Sequence, residues 1–199
     1  MDNYVYIVAG LPDLTANFGS SQFSYTDVRE SIAELLSDAD CQLVALLDEG
    51  FDETALNGDF YGRTAASKNR FIREYFDFDA RMRNLQAEYV ARATNSQADK
   101  YLVELPEAEF DDEKRVLEVL ANADFLQREQ QADMLKWNKA SEIAQMDYFN
   151  MNAILAFLVK AHIVQRWARL DREAGEAMFR KLLGEVRGTF KDVSTAQND

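Results

Sequence analysis

The stretch FIREYFDFDARMRNLQAEYVARA, residues 71–93, carries the clearest structural pattern in the chain. Its apolar side chains advance by alternating steps of four and three, which places them on one stripe of a helix. The stripe consists of Phe71, Tyr75, Phe78, Met82, Leu85 and Tyr89. We therefore predict a long amphipathic helix here. Because Pro12 and Pro106 are the only prolines, the rest of the chain also favours helices, and we predict an all-α fold.

Caps and apolar spacing predict further helices on both sides of this segment. Ser24 or Thr26 begins one that runs to Leu36, and Ser37 caps the next. The remaining helices are predicted at residues 38–49, near 116–120, at 124–138, along 143–164 with a break at Asn150, and along 178–190. Residues 57–59 and 95–100 are predicted as a turn and a loop, and residues 4–9 as either a short N-terminal strand or a first helix.

Two parts of the chain resemble each other. Residues 74–93 align without gaps to residues 142–161, which is the kind of similarity that an internal duplication produces. In this alignment Glu74, Asp79, Asn84, Ala93 and Arg92 correspond to Glu142, Asp147, Asn152, Ala161 and Lys160. Chance similarity between helices of like composition is the alternative. On the duplication we predict a bundle of two related helical modules, residues 1–105 and 106–193, and a disordered tail at 194–199.

Charge is distributed unevenly along the chain. Residues 27–59 hold ten acids and one base, whereas residues 63–92 hold seven bases and four acids, and the second half repeats this order. The basic arms can bind an acidic partner or pair with the chain's own acidic arms. We favour the internal pairing, because the repulsion between the acids is otherwise unrelieved.

Composition excludes several classes of partner and location. A formal net charge of -13 argues against binding to nucleic acid and to anionic lipid, since both rest on cationic side chains. Cys41 is the only cysteine, so an intrachain disulfide is impossible and a reducing cytoplasm fits. We expect no export, because the opening lacks a basic lead and a cleavage site. The apolar stretch at residues 153–164 is too short to span a bilayer, so we expect no membrane insertion.

The residues that usually carry catalysis are scarce. With one histidine and one cysteine, the usual zinc ligand sets cannot form, and His162 is interpreted as a helix residue at a packing edge. The apolar opening that ends at Gly10 lacks the later glycines and the lysine of nucleotide-binding loops. We predict no catalytic residue, no metal and no cofactor, and hence a protein that is not an enzyme. An enzyme that uses a carboxylate pair in a helical cleft is a minor alternative.

Six polar residues of the aligned stretches are candidates for contacts between helices or with a partner protein: Asp79, Asn84, Arg92, Asp147, Asn152 and Lys160. Asp79 lies one turn before Arg83, as in an ordinary exposed ion pair, but Asp147 has Met151 at that position. The recurring aspartate is therefore predicted to cap or bond to a neighbouring helix. Asparagine is a mediocre helix former, so the two asparagines are predicted to bond to a neighbouring helix or a partner subunit.

Three motifs resemble parts of two known families. Tyr4-x-Tyr6-x-x-Ala9 resembles the opening of the C-type subunit of the archaeal and bacterial V-type ATPases, which is the d-type subunit of the vacuolar enzyme. Asp79, Asn84-Leu85 and Ala91-Arg92-Ala93 are similar to a helix of the same protein family. The run from Val8 to Asp13 resembles the opening of a bacterial family of unknown function whose genes accompany V-type ATPase genes.

The first resemblance implies an all-helical, non-catalytic repeat protein that acts as a socket between the central stalk of a rotary ATPase and its membrane rotor ring. Its expected partners are those protein subunits. We thus predict a cytoplasmic accessory or central-stalk coupling subunit of a bacterial V-type ATPase, held at the periphery of the inner membrane by the complex. The alternative is a free-standing helical adaptor or regulatory protein that is unrelated to rotary ATPases.

Overall fold

The computed structural model describes residues 3–16 and 24–169, and every regular element in these ranges is a helix. The fold is all-α, as the apolar spacing predicts. The helices in these ranges are α1 (Tyr4–Gly10), α2 (Tyr25–Ala33), α3 (Asp38–Glu49), α4 (Gly58–Ala65), α5 (Arg70–Thr94), α6 (Glu113–Leu120), α7 (Phe125–Ile143) and α8 (Met151–Arg169). The helix predicted along 178–190 and the tail predicted at 194–199 lie outside the described residues.

Side-chain caps fix the starts of several helices. Ser24, rather than Thr26, begins α2, and its hydroxyl accepts the backbone N–H of Asp27 at 3.3 Å. The Ser37 hydroxyl accepts the N–H of Asp40 at 3.2 Å, so the predicted start of α3 is confirmed. These bonds satisfy backbone donors that the first turn of a helix leaves without a partner.

Two sequence interpretations at the N-terminal half need correction. Residues 4–9 belong to α1, so the strand alternative is wrong; Ile7 packs into the helical core, and the described residues contain no strand with which this segment could pair. Residues 57–59 are not an isolated turn but the start of α4. The Asn57 side chain accepts the N–H of Phe60 at 3.0 Å, because the residue types that favour turns also cap helices.

The stripe predicted along 143–164 spans two helices. Helix α7 continues past the predicted end at 138 and stops at Ile143, and α8 begins at Met151. The break at Asn150 is confirmed, since its side-chain oxygen accepts the N–H of Ala153 at 3.2 Å. Residues 74–93 therefore lie within one helix, whereas residues 142–161 cover the end of α7, a connection and part of α8. The two stretches that align without gaps in sequence therefore differ in secondary structure.

Helix α8 lies at the centre of the bundle and packs against α1, α2, α3, α5 and α7. The larger hydrophobic cluster extends from Ile7 to Trp167, so residues from both predicted modules contribute to one core. A smaller cluster of Phe78, Met82, Val116, Leu120 and Ala132 joins α5, α6 and α7. The division of the chain near residue 105 stays a prediction.

The apolar stretch at 153–164 lies inside α8, where Ile154, Leu155, Leu158 and Val159 are fully buried. Its hydrophobicity is thus used for packing within the protein. None of the helices in the described ranges combines the length and the apolar character that a membrane crossing needs.

Candidate functional site: buried carboxylates that join the helices

The Asp79 carboxylate lies in the interior of the bundle and binds groups from three helices. It accepts the hydroxyl of Tyr61 in α4 at 2.7 Å and the Nε–H of Arg83 in α5 at 3.0 Å. The Nζ of Lys136 in α7 lies 2.9 Å from its other oxygen. The expectation of an exposed Asp79–Arg83 pair is wrong, because the Asp79 side chain is only 5% exposed. Asp79 lies four residues after the buried Tyr75, so both side chains are on the interior side of α5.

The two cations keep Asp79 ionised. Burial raises the pKa of this carboxyl, but the attraction of Lys136 and Arg83, together with the hydrogen bonds from Lys136 and Tyr61, outweighs it, so the pKa of Asp79 lies below its usual value. The neighbouring Tyr61 hydroxyl has its pKa raised, first by burial and then by the Asp79 charge. This cluster, which we call the Asp79 node, is therefore one carboxylate bound by two cations and a neutral phenol, and it joins α4, α5 and α7.

A second buried carboxylate, Asp133 of α7, binds the C-terminal part of α8. It accepts the indole N–H of Trp167 at 2.7 Å and a guanidinium N–H of Arg166 at 2.6 Å. Arg166 also binds Glu129 at 2.9 Å. Burial raises the pKa of Asp133, and the opposing attraction of Arg166 does not fully compensate. Sequence reasoning missed this residue, although its position four residues before Trp137 places an acid on the buried side of α7.

Asp147 lies in the connection between α7 and α8, where it organises the turn. It accepts the side-chain amides of Asn150 at 2.6 Å and Asn152 at 3.0 Å, and a guanidinium N–H of Arg70 at 2.7 Å. Burial raises the pKa of Asp147, but these three donors together lower it below its usual value. The oxygen of Asn152 in turn accepts the amide of Asn69, the cap of α5, at 3.0 Å. Asp147 and Asn152 thus join the start of α8 to the start of α5.

Asn84 binds a loop rather than a helix. Its amide donates to the carbonyl of Val103 at 2.8 Å, and its oxygen accepts the N–H of Val103 at 2.9 Å. With these two hydrogen bonds the Asn84 side chain pairs with the backbone of Val103 and holds the segment after α5 against the middle of that helix.

Arg92 and Lys160 have different surroundings although they align in sequence. Arg92 is exposed, and its described ion pair is with Glu88 at 2.9 Å. Lys160 is half-buried, with its amine 5.4 Å from the centre of the Trp137 ring, and burial lowers the pKa of the amine. The six predicted residues therefore do not gather at one point; they lie at separate contacts along α5, the α7–α8 connection and α8.

His162 is a packing residue in α8, as the sequence suggests. Its ring stacks on Phe51 with centroids 3.9 Å apart and meets the edge of Tyr25. Burial, helped by the nearby cations, lowers the pKa of His162 to about 4, so the ring is neutral at pH 7. Within residues 3–16 and 24–169, no group of three or more histidine, cysteine or acidic side chains is placed to hold a metal ion.

In the first basic arm, residues 63–92, most of the arginines form ion pairs within the chain. The pairs in this arm are Arg63 with Glu49 and Asp59, Arg70 with Glu74 and Asp147, Arg81 with Asp77, Arg83 with Asp79, and Arg92 with Glu88. Among the described residues, no side-chain nitrogen or oxygen that is fully buried lacks a hydrogen-bond partner. The buried charges thus hold the helices of the bundle together and satisfy one another.

Comparison with known proteins defines the family. A family model described as "Protein of unknown function (DUF2764)" matches residues 1–57 and 96–189, well over half of the chain, and the protein belongs to this family. The match covers α1 to α3 and α6 to α8 but leaves out the whole of α4 and α5. No curated protein and no solved structure matches the chain.

Proposed function

We propose that this protein is a non-catalytic accessory or central-stalk coupling subunit of a bacterial V-type ATPase, cytoplasmic and held at the membrane by the complex. It acts through contacts with the protein subunits of the stalk and the rotor ring. The observation that carries the proposal is the position of the motif at residues 4–9. These residues form α1, and this helix exposes two large apolar side chains, Val5 and Tyr6.

Other parts of the surface fit a role in assembly. The connection between α7 and α8 exposes Met146, Tyr148 and Phe149 in nearly consecutive positions, with Met146 77% exposed. Contiguous apolar exposure on a strongly charged protein is typical of an interaction surface. The paired charges inside the bundle support the same role, because a coupling subunit has to transmit force without deforming.

Affinity purification from a bacterium that encodes a V-type ATPase tests the proposal. The tagged chain is expressed at its native level, and the copurifying proteins are quantified by mass spectrometry. We expect the catalytic and stalk subunits of the ATPase to copurify in constant ratio. Asn84→Ala and Asn152→Ala are expected to reduce the amount of assembled complex while the ATP turnover of each assembled complex stays unchanged.

Two outcomes would contradict the proposal. ATPase subunits at the level of an untagged control would remove the ATPase assignment, and a different reproducible set of partners would favour the free-standing adaptor. A change in turnover per assembled complex, with assembly intact, would contradict the purely structural role.

A further inference from the structure

An apolar groove lies between α1 and α2, with a volume of about 460 Å³. Its floor is formed by Ile7 and Ile32, which are buried in the core of the bundle. The segment from Gly10 to Pro12 lines one side, and Val28 and Leu35 line the other. The groove is thus a continuation of the hydrophobic core that opens at the surface.

The rim of this groove is exposed and apolar. Tyr6 is 66% exposed and Leu35 is 41% exposed, and both line the groove. Val5, next to Tyr6, is also exposed. Helix α2 is about 13 Å long, so a partner helix laid along it would make contact over two to three turns.

One edge of the groove is acidic. Asp27, Glu30 and Glu34 recur at steps of three and four along α2 and the turn that follows it, so they form a stripe that borders Val28 and Leu35 of the groove. All three acids are exposed, and none has an ion pair among the described residues. The one base on α2, Arg29, is bound to Asp48 at 2.9 Å.

We propose that the groove between α1 and α2 binds an amphipathic helix of a partner protein that carries lysine or arginine along one edge of its apolar face. The apolar stripe of such a helix fills the groove, and its cations face the acidic stripe of α2. Charge complementarity selects this occupant, because the edge offers carboxylates that no base in residues 3–16 and 24–169 neutralises. The inference rests on the proposed function only in that the partner is a protein.

Labelled synthetic peptides test the groove directly with the full-length protein. The first peptide has an apolar stripe flanked by lysines, the second has glutamates in place of the lysines, and the third has the composition of the first in scrambled order. Fluorescence anisotropy measures the affinity of each. We expect the lysine peptide to bind at least about tenfold more tightly than the other two, and its affinity to fall as salt is added.

Gly10 allows the groove to be filled without disturbing the fold. A Cβ added at Gly10 meets no atom within 4 Å, and the residue does not have a positive φ. Gly10→Leu therefore adds a bulky apolar side chain at a residue that lines the groove and is expected to weaken binding of the lysine peptide at least about tenfold. Gly62 in α4 is a matched control, since it also has open space around its Cβ and does not line the groove. Gly62→Leu is expected to leave the affinity unchanged.

The acidic edge is tested by Asp27→Asn combined with Glu34→Gln, which should lower the affinity and its salt dependence. Glu104→Gln combined with Glu107→Gln removes the same charge from another segment without ion pairs among the described residues and is the matched control. Circular dichroism melting curves verify that all four variants are folded.

The outcomes distinguish the groove proposal from self-association and from the proposed function. Equal affinity for the lysine and glutamate peptides, no binding to the full-length chain, or insensitivity to Gly10→Leu would overturn it. A dimer in light scattering that Gly10→Leu dissociates would assign the groove to a second copy instead. If the lysine peptide binds but ATPase subunits do not copurify, the groove stands and the proposed function fails. If ATPase subunits copurify with wild type and with Gly10→Leu alike and no peptide binds, the proposed function is supported and the groove proposal fails.

Discussion

Asp79 and Asp147 occupy the same position in the alignment of residues 74–93 with 142–161, yet the structure places them in unlike surroundings. Asp79 lies in the middle of α5, is buried, and binds two cations and a phenol. Asp147 lies between two helices and binds two amides and Arg70 near the surface. Similar local sequence thus gives a core charge where the helix continues and a turn organiser where it stops.

The largest expected difference between the two regions is in stability. Asp79→Ala removes the carboxylate shared by Lys136 and Arg83 and leaves two largely buried cations without it, so we expect a loss of about 3–5 kcal/mol in the free energy of unfolding. Urea denaturation followed by circular dichroism measures this loss. A loss below about 1 kcal/mol would show that the Asp79 node contributes no more than a surface ion pair.

Acid titration of Asp79→Asn gives an independent check of the same node. Because the folded-state pKa of Asp79 is lowered, the unfolded chain takes up the proton first on acidification. The stabilisation is present above the unfolded pKa, about 4, and is lost as the pH falls through the folded-state pKa. The difference in unfolding free energy between wild type and Asp79→Asn should therefore be largest near pH 7 and shrink below about pH 4. A constant difference would contradict this assignment.

The fold could be predicted because local signals agree with tertiary packing in most helices. The stripe from Phe71 to Tyr89 lies within α5, and Ser37 caps α3. The end of α7 was missed because the apolar residue 143 was assigned to the next stripe, along 143–164, whereas in the structure it is the last residue of α7. Helix α4 was missed because Asn57-Gly58 has the composition of a turn. Apolar spacing does not show whether a side chain finds a neighbour or meets water.

The polar contacts were harder to predict than the helices. The sequence singled out Asp79, Asp147 and the two asparagines, but each also has a partner from a distant segment. Lys136 lies on α7 and Asn69 at the start of α5, and no local pattern links either one to its acceptor. The buried Asp133 was missed, because an acid among the many acids of this chain gives no signal until helix packing shows that it faces inward.

Asp147→Ala should have a smaller effect than Asp79→Ala. It removes two hydrogen bonds from side-chain amides and one ion pair. Arg70 is partly exposed, so water can take the place of the lost carboxylate beside it. We expect a loss of about 1–2 kcal/mol in unfolding free energy, measured under the same urea conditions. Asn150→Ala serves as the matched control, since it removes one of the two amides and the cap of Ala153. A loss equal to that of Asp79→Ala would contradict the expectation that the buried carboxylate stabilises the fold more than the one in the α7–α8 connection.

The smallest effect is expected at Arg92. Its side chain is 74% exposed and pairs one turn back with Glu88, so Arg92→Ala should change the unfolding free energy by less than about 0.5 kcal/mol. A larger loss in the isolated protein would mean that Arg92 has a structural role that its exposed pair does not explain. Because the substitution leaves the bundle intact, the same variant can be used in the copurification experiment. A reduced yield of ATPase subunits with unchanged stability would place Arg92 at the partner surface, since no internal contact would then account for the loss.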